Sequence, residues 1–143
     1  MKGATNQDEA KEVGDVPRVT VCFPGGKHKA LTMSYDDGRA ADRRLVDIFN
    51  RNGIKGTFHI NSGLLGTGDR IPAEEIRSLY AGHEISAHTA THPTIARSPR
   101  EQLVEEIVED RKRLEALAGY AVRGMSYPNG SFNRDIKEAL CLR

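Results

Sequence analysis

Met33-Ser34-Tyr35-Asp36-Asp37-Gly38 is the stretch on which the reading turns. The apolar run Ala30-Leu31-Thr32-Met33 leads into two adjacent carboxylates, and a glycine closes it. Physically this is a buried strand that delivers Asp36 and Asp37 at its carboxyl end. Neighbouring strand residues point to opposite sides, so the two acids are expected to do different jobs. A second stretch, His88-Thr89-Ala90-Thr91-His92, follows another short apolar run and sets two imidazoles four apart. One carboxylate with that pair makes a three-ligand metal site with an open position, and the other carboxylate is placed as a base.

Outward from these stretches the pattern alternates. Arg18 to Phe23 reads as a strand, Pro24 to Lys27 as a turn and Lys29 to Tyr35 as a second strand, which predicts an opening β-hairpin. A helix is expected from Ala40 to Asn52, with Leu45, Val46, Ile48 and Phe49 on its apolar face and Gly53 just past its end. Lys55 to Ile60 reads as a strand. Pro72 opens a short helix over 73–81, and Glu84 to Ala87 is a strand running into the imidazole pair. Ser98 and Glu101 have capping-box spacing, with Pro99 at the first helical position. The helix they open runs to Ala118. Leu103, Ile107, Leu114 and Leu117 line its apolar face, and its charges, including Glu105, Glu109, Lys112 and Arg113, are expected in water. Ala121 to Tyr127 is a strand, Pro128-Asn129-Gly130 a turn, and Asn133 caps a final helix to Arg143.

Strand and helix in alternation predict an α/β fold with a parallel sheet and crossover helices. Sites in such folds lie at the carboxyl ends of strands. The Asp36/Asp37 pair, the His88/His92 pair and Pro128-Asn129-Gly130 are all expected on that rim. Residues 1–17 read as a flexible tail and 18–143 as one domain.

Composition narrows the classes. A chain of 143 residues with net charge +1 has no broad electrostatic pull toward nucleic acid or an anionic membrane. No apolar run approaches the roughly 20 residues of a membrane span. No signal peptide is read in residues 1–16, so the expectation is cytoplasmic as the chain stands, or secreted if a signal was removed. Cys22 and Cys141 are expected as ordinary thiols. His59 is assigned a structural or supporting role, His83 a packing role, and His28 a solvated turn. No basic cluster is read beside the motifs that would clamp a phosphate.

Together these residues resemble the NodB-type polysaccharide deacetylases, carbohydrate esterase family four. The first motif of that family, Thr-Phe-Asp-Asp-Gly, reads here Ser34-Tyr35-Asp36-Asp37-Gly38, and the second, His-Ser/Thr-x-x-His, reads His88-Thr89-Ala90-Thr91-His92. The third, Arg-x-Pro-Tyr-Gly, reads Ser126-Tyr127-Pro128-Asn129-Gly130. Ser126 thus stands where the family often has the arginine that pairs with the base, and Asn129 where it often has tyrosine.

The resemblance covers roughly 28–140 and implies a distorted (β/α) barrel and removal of acetyl groups from N- or O-acetylated carbohydrate. It implies Asp36 as base, Asp37, His88 and His92 as ligands of zinc or another divalent transition metal, and the Asn129 backbone N–H as oxyanion donor. Tyr127, Pro128 and Asn61 are expected at the substrate.

The family barrel has about seven strands, and its general-acid histidine belongs to a later motif; four barrel strands are read here (30–35, 55–60, 84–88, 122–127). The expectation is therefore an incomplete barrel: truncated, a reduced variant, or completed by a partner such as a homo-oligomer closing the open edge. Two competing functions remain open. One is a catalytically impaired, metal-retaining remnant or carbohydrate-binding module. The other is a metallohydrolase of phosphoesters, disfavoured by the missing clamp.

Overall fold

The computed structural model describes residues 19–134, 136 and 137. The chain divides into two units, Met1–Leu31 and Thr32–Arg143. The expected tail over 1–17, Cys141 and the end of the final helix lie outside the described residues.

In the first unit the expected hairpin is reduced to one antiparallel bridge. Phe23 and Lys27 exchange backbone hydrogen bonds of 2.8 and 3.2 Å around the intervening turn. Val19 and Val21 are 89% and 93% exposed, so the alternation that suggested a strand buries nothing. A two-stranded ribbon without a covered face is marginal at best. Cys22 is exposed and free, with Sγ 3.7 Å from His28 Nδ1.

The second unit is built on a parallel sheet of β1 (Ser34–Asp36), β2 (Thr57–Ile60) and β3 (Glu84–Ala87), in that order. Its register pairs Ser34, Tyr35 and Asp36 with Thr57, Phe58 and His59; Thr57 to Ile60 then pair with Glu84 to Ala87. The strand expected over 122–127 contributes a single parallel bridge, Ala87 with Met125. Two bonds hold it: Ala87 N–H donates to the Gly124 carbonyl (2.9 Å) and Ser126 N–H to the Ala87 carbonyl (3.0 Å).

Period-two alternation gives the sheet two chemically opposite faces. Phe58, Ile60, Ile85 and Ala87 are buried in one core with Val46, Phe49, Ile76, Tyr80 and Leu114, and Tyr35 packs against it. Full burial of each such side chain is worth about 1.5–3 kcal/mol. In the other phase stand Ser34, Asp36, Thr57, His59, Glu84, Ser86 and, just past β3, His88. They bond to one another: Ser34 Oγ lies 2.9 Å from His59 Nε2, and Thr57 donates to Glu84 at 2.7 Å. Asp36 and His88, two of the candidate site residues, stand at the carboxyl-end rim of this polar face.

Helix α1 (Asp42–Arg51) returns the chain from β1 to β2. Val46 and Phe49 are buried, but Ile48, expected on the same face, is left at the edge and 36% exposed. The helix ends as its sequence predicts. Gly53 is left-handed, its N–H donates to the Asn50 carbonyl, and Ile54 N–H reaches the Phe49 carbonyl. This is a Schellman closure.

The helix expected over 73–81 forms as a 3-10 turn, Ala73–Glu75, followed by α2 (Ile76–Leu79). His83 fills the packing role read for it. Its ring edges onto Phe58, and its Nδ1 accepts the Gly56 N–H at 3.1 Å.

The long helix departs most from expectation. It consists of α3 (Arg100–Leu103), a π-helical segment (Val104–Glu109) and α4 (Asp110–Ala118). Pro99 takes the N-cap and no side chain caps the start, so the expected capping box does not form. Glu105, Lys112 and Arg113 are exposed as predicted. Glu106 and Asp110 are not: both are buried. No helix among the described residues is long and apolar enough to cross a membrane.

Candidate metal centre

The sheet places Asp36 and His88 in one phase, and a local backbone device adds Asp37. Strand alternation would send Asp37 to the other side. Instead Asp37 is left-handed (φ 84°) and its N–H donates to the His59 carbonyl at 2.8 Å. Among the described residues four non-glycines have positive φ: Asp37, Thr89, His92 and Asn129. All four belong to the three motif stretches. Strain of this kind, on the order of 1–3 kcal/mol per residue, persists only where surrounding contacts enforce it, and it clusters at functional sites.

The result is a compact donor set. Asp37 Oδ1 lies 3.9 Å from His88 Nε2 and 3.6 Å from His92 Nε2, and one ligand atom from each residue fits within 4.8 Å. A tetrahedral ion with bonds of about 2.1 Å holds its ligand atoms about 3.4 Å apart. Asp37 Oδ1 is buried and accepts no hydrogen bond; the Arg70 guanidinium is 3.3 Å away as an ion pair without hydrogen-bond geometry. A buried carboxylate oxygen lacking a donor and facing two imidazole nitrogens suits a divalent cation. Asp36 stands beside this set, its Oδ2 3.9 Å from His88 Nε2, with a side chain 51% exposed against 22% for Asp37. The two carboxylates differ in exposure but not in side: the left-handed turn at Asp37 overrides the strand alternation that was expected to separate them.

Electrostatics support these roles. Burial works against ionisation of Asp37, but the Arg39 hydrogen bond and the charges of Arg70, His92 and Arg39 outweigh it, holding the carboxyl below its usual value. Burial pushes the His88 pKa down, opposed by its Ser126 carbonyl contact and by Asp36, so the ring favours the neutral form that binds metals.

Two arginines at the centre were not read from the sequence. Arg39 donates to Asp37 Oδ2 (3.1 and 3.3 Å) and to Asp69 (2.8 Å). Arg70 donates to the Asp37 carbonyl and to Asn61 Oδ1 (2.9 Å). A basic pair thus does stand beside the first motif, correcting the expectation. Both guanidiniums are committed to Asp37 and its neighbours. Arg39 takes Oδ2, and Arg70 stands 3.3 Å from Oδ1 without hydrogen-bonding it.

The imidazole loop is held from behind. Glu106 accepts Thr91 N–H (2.9 Å) and Thr91 O–H (2.5 Å), and its carbonyl accepts Ala90 N–H (3.0 Å). Asp110 accepts Ser62 N–H at 2.9 Å. The π-helical segment carries Glu106 on the side of this loop, a common use of such segments. Glu106 and Asp110 stand three residues beyond Leu103 and Ile107, on the side of the helix whose Leu103, Ile107, Leu114 and Leu117 were read as its apolar face; charges at that spacing were the available signal.

The residues expected at the substrate take the following places. Asn61 is buried and donates to the carbonyls of His88 (2.6 Å) and Thr89 (3.0 Å), bracing the loop. Pro128 is buried, and Tyr127 packs against the Ile95, Ile107 and Ile136 cluster and against Phe132. Asn129 is exposed and left-handed. His59 is buried behind His88, ring centroids 6.4 Å apart.

The polysaccharide deacetylase family model matches residues 23–141, and the chain belongs to that family. It is similar to a peptidoglycan-N-acetylglucosamine deacetylase of Bacillus cereus, 29% identical over 119 residues, covering 80% of this chain and 42% of the relative. It is also similar to peptidoglycan-N-acetylglucosamine deacetylase PgdA of Listeria monocytogenes, 25% identical, covering 80% and 24%. The chain therefore spans less than half the length of either relative. Among solved structures, Streptococcus pyogenes deacetylase PplD in complex with acetate superposes with TM-score 0.74 at 18% identity, covering 82% of this chain and 54% of that one. The fold is that of the NodB-type barrel, present here in part.

Proposed function

We propose that this chain carries the metal-binding half of a carbohydrate deacetylase, hydrolysing an N-acetyl or O-acetyl group on a sugar. The observation that carries the reading is the Asp37-His88-His92 donor set with the open carboxylate of Asp36 beside it. Asp37, His88 and His92 would hold the ion, zinc or a similar divalent transition metal. When bound, such an ion supplies Lewis acidity and makes water easier to deprotonate.

The remaining work falls to the chain's own groups. Asp36 accepts a proton from the water that attacks the acetyl carbonyl. The new carbon–oxygen bond forms, the negative charge settles on the carbonyl oxygen, and the Asn129 backbone N–H is the donor offered to it. Removing one such donor typically slows a reaction by roughly 100–1,000-fold. Collapse breaks the bond to the sugar nitrogen or oxygen, which takes up a proton, and acetate leaves. The names of the similar proteins support an acetylated cell-wall sugar as substrate class.

The test is acetate release from N-acetylglucosamine oligomers, peptidoglycan fragments and acetylated xylan, with zinc and then with a chelator. Release that a chelator abolishes and Asp36→Ala lacks is expected. Release persisting in Asp36→Ala would refute the assignment of the base. A second reading, a site that binds metal and sugar without turnover, draws on Ser126 standing where the family often has the base's arginine partner. Zinc and sugar binding without any acetate would select it.

A further inference from the structure

Ser126 sits between the two halves of the site. Its Oγ lies 3.0 Å from Asp36 Oδ1 and 2.7 Å from His88 Nδ1, and its carbonyl lies 3.0 Å from the same His88 nitrogen. Its backbone is pinned by the hydrogen bond from Ser126 N–H to the Ala87 carbonyl. One hydroxyl has one proton to give. An imidazole that offers Nε2 to an ion carries its proton on Nδ1, and that proton points at the Ser126 carbonyl and hydroxyl oxygens. The Ser126 hydroxyl then accepts on the His88 side, so its own proton is directed to Asp36 Oδ1. The opposite tautomer would put a proton on Nε2, draw the hydroxyl proton to Nδ1 and leave Asp36 without this donor.

We propose that Ser126 is the positioning residue of the base: its O–H orients the Asp36 carboxylate, and the His88 tautomer that suits metal binding fixes the direction of that bond. The inference rests on the deacetylase reading for its consequence in rate. It assigns to a neutral hydroxyl the place that the family often gives to a guanidinium. A neutral donor fixes direction without adding a positive charge beside the base.

The test compares wild type, Ser126→Ala, Ser126→Thr, Asp36→Ala and the Asp36→Ala/Ser126→Ala double variant. Three quantities are read: zinc affinity by chelator competition, acetate-release kinetics, and the Asp36 side-chain carboxyl 13C resonance of the metal-free chain at one fixed pH. His88 keeps the Ser126 carbonyl in Ser126→Ala, so zinc affinity should stay within about threefold instead of falling by the roughly 10–100-fold typical of a lost partner to a metal ligand.

The value of kcat should fall at least about tenfold, part of the roughly 100–10,000-fold a positioned base contributes, with KM within about twofold. Ser126→Thr should restore most of it. Ser126→Ala should cost nothing further in the Asp36→Ala background. The Asp36 resonance should move in Ser126→Ala and return in Ser126→Thr. Wild-type kcat in Ser126→Ala, a rate loss matched by zinc loss, or an unmoved resonance would overturn the proposal. If zinc-loaded wild type releases no acetate, the deacetylase reading fails, and the resonance alone decides the role of Ser126.

Discussion

Glu106 grips Thr91 with both carboxylate oxygens, 2.9 Å from its N–H and 2.5 Å from its hydroxyl. The acid lies on the long helix and the threonine inside His88-Thr89-Ala90-Thr91-His92. The grip faces a loop whose Thr89 and His92 both hold left-handed backbone. The helix thus supplies part of the force that keeps two strained residues in place.

Glu106→Ala should therefore loosen the metal site without touching a ligand. It takes the acceptor from the N–H and hydroxyl of Thr91, an exposed residue that water can reach, so the loss is that of ordinary hydrogen bonds, about 0.5–1.5 kcal/mol each. Zinc affinity should fall by roughly 10–100-fold. Urea unfolding and chelator competition measure the two effects. Wild-type zinc affinity in this variant would remove Glu106 from the site.

Asp110 predicts an unusual pH dependence of stability. Burial raises its pKa to about 6; the Ser62 and His88 contacts oppose the rise and the Glu106 charge adds to it. A carboxyl raised in the folded state binds its proton more tightly there than in the unfolded chain. Its contribution is complete below about 4 and is lost as pH climbs through about 6, for a total of roughly 2–3 kcal/mol. Asp37 acts in the opposite sense: its lowered value favours the folded chain above the ordinary carboxylate pKa, and that contribution is lost on further acidification. The lowered His88 and His83 values act in the opposite sense over the same window, so the expectation is a difference: between pH 4 and pH 6.5 the urea resistance of metal-free Asp110→Asn should fall less, or rise more, than that of wild type. An unchanged slope in Asp110→Asn would show the trend to come from elsewhere.

Zinc should raise the melting temperature of the chain. Binding to the native state alone stabilises by about 2.7 kcal/mol at a hundred times the dissociation constant. His88→Ala and His92→Ala should each abolish the rise, and so should Asp37→Asn, chosen to keep an oxygen near Arg39 and Arg70. A rise retained in all three would place the ion elsewhere.

Gly63→Ala probes the same loop from the β2 side. A Cβ there would stand 2.8 Å from the Ala90 carbonyl oxygen, which is backbone and cannot swing aside. Gly63 N–H also donates to that carbonyl at 3.0 Å. Overpacking of this kind costs typically 1–3 kcal/mol. Melting should drop, and zinc binding should weaken as the loop shifts. Full zinc affinity would mean the loop tolerates the displacement.

The sequence alone determined what is local or periodic. Asp36 ends β1, and Asp37, His88 and His92 follow the ends of β1 and β3, as the order of the motifs implied, although the run 30–33, read as a buried strand, lies ahead of β1 with Leu31 83% exposed. Such signals depend on neighbours a few residues away, so they survive without the fold. The tertiary structure decided the rest. It left Val19 and Val21 uncovered, so the opening hairpin shrank to a bridge. It turned Glu106 and Asp110 inward, because two loops offered them N–H donors that no helical pattern reveals. It brought Arg70 onto Asp37 from 33 positions away, and Ser126 onto Asp36 from 90. Hydrogen bonds and charge pairs act over a few ångströms of space whatever their separation along the chain, and only the folded sheet sets those distances.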